Sequence, residues 1–447
     1  MRRGPTPAPR FSEPPDSHPT PNQAPCTARP HRAGGFLTPR TRPSNRRHHP
    51  TQHGSNTSLT SQKPTARPVP HPPDQGQYQL ARAICCADHR RPGLPEDVVP
   101  AYIARPTTVF PQHQITTTQI ADDIRHHHAD HPKLGAILRI VGNTGVSTRY
   151  FTRPLDAPTV AGQAGVGDRA ATAFTDALDL AAEAARRTLA LHHLALVDVD
   201  AVITTHSTGW AVPNLDIHLV EKLGLRPNVR RIALTTMACA GGTQALIRAV
   251  DMVAARPGAT VLVVAAEVIS AVYNHADNQV EHMIYKALFG DSAAATIVTS
   301  TPRGPGLHVA TPDDTYEHVL PNSLTRYNGR VDHTGFHFDS TKAALTAADD
   351  VLPDLLKWLG PELVDYGIIH PGSQRIINDT ARALGLDAHD TRHSTDTLAE
   401  EGNLGGPSVL RILERTHAEP PTPGSRGVMV AYGPGFNTAA IRGTWHA

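Results

Sequence analysis

Three side chains in this sequence have types and settings that suit covalent chemistry: a thiol, an imidazole and a carboxamide. Cys239 is one of four cysteines and the only one beyond residue 86. It lies in Thr236-Met237-Ala238-Cys239-Ala240-Gly241-Gly242-Thr243, between a strand pattern and a helix pattern. A strand-to-helix turn projects its side chain sharply, and a helix start carries unpaired N–H groups with positive potential. Both favour thiolate over thiol, which predicts a nucleophile near neutral pH. Gly241 and Gly242 would let the backbone pass close to a bound acyl group. From the turn alone, a small buried packing residue is an equal reading. His370 ends a strand pattern and precedes Pro371-Gly372, which predicts an imidazole exposed at the rim of a sheet. Asn403 sits in the Gly-rich run Glu401-Gly402-Asn403-Leu404-Gly405-Gly406-Pro407-Ser408, opening a helix. Strand ends and helix starts are where open α/β sheets gather their chemistry. Taken singly, the two also read as a surface histidine and a turn asparagine.

The elements that must hold these groups alternate. A long Ala-rich helix is predicted over about Asp168–His192, with Ala173, Leu178, Ala181 and Ala185 at helical spacing. Strands follow at 197–205, 231–236, 260–267 and 293–300, with helices at Leu215–Leu223, closed by Gly224, and Thr243–Ala255. The stretch TVLVVAAE at 260–267 is an apolar run suited to a strand buried on both faces. Further strands are predicted at 366–370 and 427–432, and a helix at about 408–415. Such alternation predicts largely buried, partly parallel sheets covered by helices. Two strand–helix series, 96–300 and 301–447, predict two similar halves. Thr116 reads as the cap of a helix through Ile124, with acids in its first turn. The run His126-His127-His128 with His131 is not read as a metal set, because consecutive histidines on a helix diverge and no carboxylate is placed at ligand spacing.

Composition narrows the rest. Residues 1–95 carry 14 Lys+Arg against 4 Asp+Glu and 19 of the 40 prolines. That Pro/Arg-rich, low-complexity stretch cannot bury enough surface to offset its conformational entropy, so a disordered tail is expected. It holds Cys26, Cys85, Cys86 and the pair His48–His49, none at metal-site spacing. The remaining residues carry 28 basic against 37 acidic side chains, a net of −9 that argues against a nucleic-acid partner. No apolar run approaches the ~18 residues of a membrane span. Four cysteines cannot staple a protein of 447 residues, so a reducing, cytoplasmic setting is expected.

With these residues in view, the sequence is similar to type III polyketide synthases, the chalcone synthase family. The similarity rests on Gly224-Leu225-Arg226-Pro227 through Cys239-Ala240-Gly241-Gly242-Thr243, and on Ala287-Leu288-Phe289-Gly290-Asp291. It continues through Ile369-His370-Pro371-Gly372, Gly402-Asn403-Leu404 and Gly433-Pro434-Gly435, in family order over about residues 100–445. The resemblance implies a thiolase-like αβαβα fold, a homodimer, and a triad of Cys239, His370 and Asn403 with Phe289 as gatekeeper. It implies an acyl-CoA starter loaded on Cys239 and extended by malonyl-CoA through decarboxylative condensation, then cyclisation to a pyrone, resorcinol or polyhydroxy-aromatic product. No metal or redox cofactor is needed, the CoA thioesters being substrates. Cys239 would form an ion pair with His370, and His370 and Asn403 would both donate to the enolate oxygen.

By motif position the pocket includes Ser207, Val212, Ile269, Val272, Gly329, Phe338, Gly405, Gly433, Pro434 and Gly435. Gly405 stands where plant members carry Ser, and Ile269 and Val272 where hydroxyl residues are frequent. These departures argue against aromatic-ring formation by the plant route. Val212 lies in a loop that would reach across the dimer, and Arg149 is the candidate for the CoA phosphates. Two rival functions share the fold: a single-condensation 3-oxoacyl-[acyl-carrier-protein] synthase III, and a non-catalytic thiolase-fold partner. The first usually has Asn-rich text near its His and Asn, absent here. The second would show a degenerate triad, and all three members are present.

Overall fold

A computed structural model describes residues 98–447. The expectations for the tail, its cysteines and its histidines lie outside the described residues.

In chain order the strands are β1 (Ala101–Ala104), β2 (Thr107–Val109), β3 (His113–Thr116), β4 (Thr148–Phe151), β5 (Ala201–His206), β6 (Arg230–Thr235), β7 (Val261–Glu267), β8 (Ser292–Thr299) and β9 (Gly306–Val309). The later strands are β10 (Thr315–Val319), β11 (Tyr327–Asp332), β12 (Gly335–Ser340), β13 (Tyr366–Ile369), β14 (Arg426–Gly433) and β15 (Asn437–His446). The helices are α1 (Thr117–His127), α2 (Leu134–Gly142), α3 (Val166–Leu191), α4 (Leu215–Leu223), α5 (Gly241–Ala255), α6 (Val280–Leu288), α7 (Ala347–Leu359), α8 (Gln374–Leu384), α9 (Arg392–Glu401) and α10 (Pro407–Ala418), besides short single turns.

The main sheet runs β13-β14-β15-β9-β1-β8-β7-β5-β6, with β2 added on β8 and β10 on β15. Its two arms repeat one pattern. From β5 the pairings with β7, β8 and β1 are parallel, antiparallel and antiparallel. From β13 the pairings with β14, β15 and β9 follow the same sequence. The antiparallel β1–β9 pair joins the arms.

Side-chain alternation turns this sheet into layers. On β7, Val261, Val263 and Ala265 face the central core, while Leu262, Val264 and Ala266 face an outer one. On β14, Met429 and Ala431 face the central core, and Val428, Val430 and Tyr432 face another outer one. Strands buried on both faces are largely apolar, as the 261–266 stretch of β7 is. Helices α5 and α10 fill the central layer with Leu246, Val250, Val253, Val409 and Leu413. Helices α3 and α4 cover the first arm, and α7 and α8 the second. The result is the expected α-β-α-β-α stack.

Local departures have local causes. The first predicted strand begins at Ala201, because the Asp198 carboxylate accepts the Ala195 N–H and turns the chain at 196–198. Thr116 does cap α1, in a reciprocal box with Gln119. The helix starts at once, so Asp122 and Asp123 fall beyond its first turn. Asp123 is one turn before His127 and 3.1 Å from His275 of a distant segment. The histidine run therefore does have a carboxylate at ligand spacing, contrary to expectation.

Candidate active site

Cys239 occupies a short turn between β6 and α5 that the sequence reading placed correctly. The turn is forced: Thr236 and Ala238 both have positive φ, 59° and 48°. Such values cost non-glycine residues energy and persist where the surroundings over-determine them. Here the Ala238 N–H donates to Ser207 Oγ at 2.7 Å, and α5 begins on the next turn. A Cβ on Gly242 would lie 2.1 Å from the Gly406 carbonyl oxygen, so glycine is required where the Cys239 turn meets the Asn403 loop.

Asn403 comes to the thiol through backbone pairing with the end of α6. The Asn403 N–H donates to Leu288 O at 2.8 Å, and Gly290 N–H donates to Asn403 O at 3.1 Å. Phe289 and Asn403 thus travel as a pair. The Gly405 N–H donates to Asn403 Oδ1 at 2.9 Å, which leaves Nδ2 to donate toward Cys239 Sγ at 3.8 Å. Gly405 has φ +66°, and a Cβ there would come 3.1 Å from Glu267 Cγ and 3.2 Å from Ile269 Cδ1. The departure from Ser at this position is therefore accompanied by Ile269 filling the space.

His370 follows β13 directly, its N–H donating to Val430 O at 2.8 Å. It is 1 % exposed, not on an open rim, because β14 and the layers on both sides close over the strand end. Among the described residues neither ring nitrogen has a hydrogen-bond partner. Burial drives its pKa down to about 3 and pushes the Cys239 thiol up to about 12, the nearby Glu267 carboxylate acting on the thiol in the same direction. Burial thus opposes the expected low-pKa thiolate paired with imidazolium. It favours the neutral form of each, and the helix start does not offset that desolvation.

The cavity beside Cys239 has a volume of about 10 Å³, space for about one water molecule. Ser207, Ile269, Phe289, Phe338 and Gly405 line it, as expected from motif position. Thr208, Ala238, Glu267 and Tyr327 line it as well, and sequence reasoning missed them. Glu267 is the notable omission: its Oε2 accepts from Ser207 N–H, Thr208 N–H and the Thr208 hydroxyl, while Oε1 is buried with no partner among the described residues. A charged residue closing the otherwise apolar run TVLVVAAE was the available signal.

Several expected pocket residues stand elsewhere. Val272 and Gly329 lie behind Ile269 and Phe338, Gly329 being paired with Phe338 across the β11–β12 hairpin. Gly433, Pro434 and Gly435 back the wall instead of lining it: Gly433 abuts Ala240, and Gly435 N–H donates to Tyr327 O at 3.2 Å. Val212 is on an exposed loop. Arg149 is corrected outright. It is wholly buried, with its guanidinium donating to Ala287 O and Thr117 Oγ1, so it ties β4 to α6 and cannot reach a phosphate in solvent.

A larger cavity of about 620 Å³ opens on the other side of Leu288, lined by Arg139, Asn143, Thr144, Ser373, Gln374 and Arg375 among others. Leu288 faces this outer cavity and Phe289 the inner one.

Comparison with known proteins settles the family. The N-terminal domain of chalcone and stilbene synthases matches residues 98–302. The phloroglucinol synthase of Pseudomonas fluorescens is 30 % identical over 349 residues, covering 76 % of this chain and 98 % of that protein. This chain belongs to the type III polyketide synthases. The 1,3,6,8-tetrahydroxynaphthalene synthase of Streptomyces griseus is 31 % identical, over 77 % of this chain and 93 % of its own. The crystal structure of the Streptomyces coelicolor tetrahydroxynaphthalene synthase superposes with a TM-score of 0.73 at 31 % identity, covering 77 % of this chain and 99 % of that one. Germicidin synthase from the same organism gives 0.73 at 28 % identity, over 78 % and 100 %. As a type III polyketide synthase the protein is an acyltransferase with the thiolase-like fold, and the single-condensation and non-catalytic alternatives fall away. Among the described residues no helix is long and apolar enough to cross a membrane.

Proposed function

We propose that Cys239 carries the growing acyl chain and that His370 and Asn403 run the condensation. The observation that carries this is the fixed Asn403 amide, its Nδ2 held 3.8 Å from the only thiol among the described residues by the Gly405 N–H on its oxygen. With burial favouring the neutral form of both groups, loading proceeds by general-base chemistry. The Cys239 sulfur attacks the starter thioester carbon as its proton passes to His370. The tetrahedral adduct then collapses, and CoA leaves as a thiol with that proton. In extension, the malonyl carboxylate departs as carbon dioxide and its electron pair becomes the enolate. The enolate oxygen accepts from Asn403 Nδ2–H and from the N–H of a neutral His370. Its carbon attacks the acyl-Cys239 carbonyl and releases the thiolate. Fixed donors in a dry site are worth a few kcal/mol to such charge development. No metal or redox group takes part.

The outer cavity suits the CoA arm, with Arg139, exposed and in no ion pair among the described residues, as its phosphate contact in place of Arg149. Phe289 separates that cavity from the thiol and keeps water from the enolate. A homodimer fits the exposed Trp210–Val212 loop and the outer edge of β6, unpaired among the described residues, and a cytoplasmic setting fits the scarcity of cysteine.

The test is CoA release from malonyl-CoA, with and without acyl-CoA starters, by the purified protein. Several CoA per starter are expected. Cys239→Ala should abolish condensation, and Asn403→Ala should slow malonyl-CoA decarboxylation by about 10²–10³-fold, as loss of one oxyanion donor typically does. Full condensation by Cys239→Ala, or an acyl adduct mapped to another residue, would overturn the assignment.

A further inference from the structure

Away from the thiol, a second group of titratable side chains joins the hairpin β11–β12 to α6. His282 Nδ1 lies 2.5 Å from Asp277 Oδ2, and His337 Nδ1 lies 3.2 Å from that same oxygen. The far nitrogens are also engaged. His282 Nε2 is 2.9 Å from Asp339 Oδ1, and His337 Nε2 is 3.2 Å from Asp332 Oδ1 and 2.8 Å from Thr334 Oγ1. Both imidazoles are buried, at 6 % and 5 % exposure, and their rings stack with centroids 5.5 Å apart. Arg330 completes the surroundings by donating to Asp339 and Asp332.

Proton accounting makes this arrangement unusual. The Thr334 hydroxyl donates to Asp332 at 2.6 Å and lies 2.8 Å from His337 Nε2, which also faces Asp332 Oδ1. Every ring nitrogen therefore faces an acceptor. A neutral imidazole has one N–H, so two neutral rings would set two lone pairs against carboxylate oxygens. The converging Nδ1 atoms and Asp277 Oδ2 make a place where a cation would relieve that clash.

We propose that Asp277, His282 and His337 form a binding site for a divalent transition-metal ion of the zinc class. Two imidazoles and a carboxylate are a borderline-soft donor set suited to zinc or cobalt. Metal–ligand lengths near 2.0–2.1 Å put tetrahedral donors about 3.3 Å apart, so His337 already stands at ligand separation and His282 must withdraw by less than about 1 Å. Asp339 and Asp332 supply the outer carboxylates that orient ligating histidines and raise their basicity. The cluster Asp123–His127–His275 lacks such partners: its two rings stack 3.7 Å apart, and Asp123 is shared with the Tyr273 hydroxyl. The metal would sit outside the condensation chemistry. Its place is between α6, which ends at Phe289, and the hairpin that carries Tyr327 and Phe338.

Cobalt(II) titration of the full-length, chelator-treated protein tests this, read by visible absorption and bound stoichiometry. The wild type should take up one equivalent more than His337→Gln, with the absorption of a four- or five-coordinate ion that zinc displaces. The tail histidines are common to both proteins and cancel. Asp339→Asn keeps all three ligands, and should bind the same equivalent 10–100-fold more weakly. It decides the matter alone if His337→Gln fails to fold. Equal stoichiometry and spectra in wild type and a folded His337→Gln, or an unchanged affinity in Asp339→Asn, would overturn the site.

Discussion

At the level of single residues, the environment of Cys239 governs how the enzyme is switched on. Burial opposes thiolate formation, and the Glu267 carboxylate adds a like charge in the same direction. Burial also raises the pKa of the Glu267 carboxyl itself, while the three donors on Oε2 hold it in place and favour its ionised form. The rate of Cys239 alkylation by iodoacetamide should therefore stay low near neutrality and keep rising above pH ~8.5, where a solvated thiol would already level off. Removing the negative neighbour favours the thiolate, so Glu267→Gln should move this profile to lower pH. The check is the alkylation rate as a function of pH, scored by mass at Cys239. An unshifted profile in Glu267→Gln would show that burial alone sets the thiol.

Elements, more than individual side chains, decide how large a product the site can build. Tyr327 and Phe338 stack on the hairpin β11–β12 with ring centroids 5.8 Å apart, and Phe338 meets Phe289 at 5.6 Å. Together with Ile269 they reduce the cavity to the volume of about one water. Each extension must displace this wall. Phe338→Ala should give longer products, detected by mass spectrometry as one or more added two-carbon units, at a stability cost of about 3 kcal/mol. Unchanged product masses in a folded variant would place the length limit elsewhere. The two arginines of the N-terminal region separate in the same way. Arg139→Glu on α2 should raise KM for malonyl-CoA by about 10-fold with kcat little changed, the effect of about 1.4 kcal/mol of lost charge pairing. Arg149→Met should leave KM alone and lower the thermal midpoint, because it strands the buried Ala287 carbonyl. Steady-state kinetics and a thermal melt on each variant distinguish binding from packing.

Over the whole molecule, what could be read from the sequence was what local pattern encodes. The strand-to-helix turn at Cys239, the buried-strand run at 260–267 and the Thr116 cap all follow from spacing and residue type, and the structure repeats them. The burial of His370, the closure of the cavity and the structural use of Arg149 come from layers contributed by distant segments, which no local spacing records. Glu267 and the Asp277–His282–His337 cluster were missed for the same reason, since their partners lie up to 60 residues away. The remaining whole-molecule question is what meets the end of the sheet. β6 is its last strand, and its outer edge has no partner among the described residues. Beside it, Trp210 and Val212 are 76 % and 80 % exposed. An open edge flanked by large apolar side chains invites pairing with another chain, and a second copy related by two-fold symmetry closes both edges at once. The protein should therefore run at twice its chain mass in light scattering. Trp210→Glu combined with Val212→Glu should shift it toward the monomer, while α5 and the Cys239 turn stay folded. A wild-type monomer, or a double variant that remains dimeric, would show that this loop and edge do not form the contact.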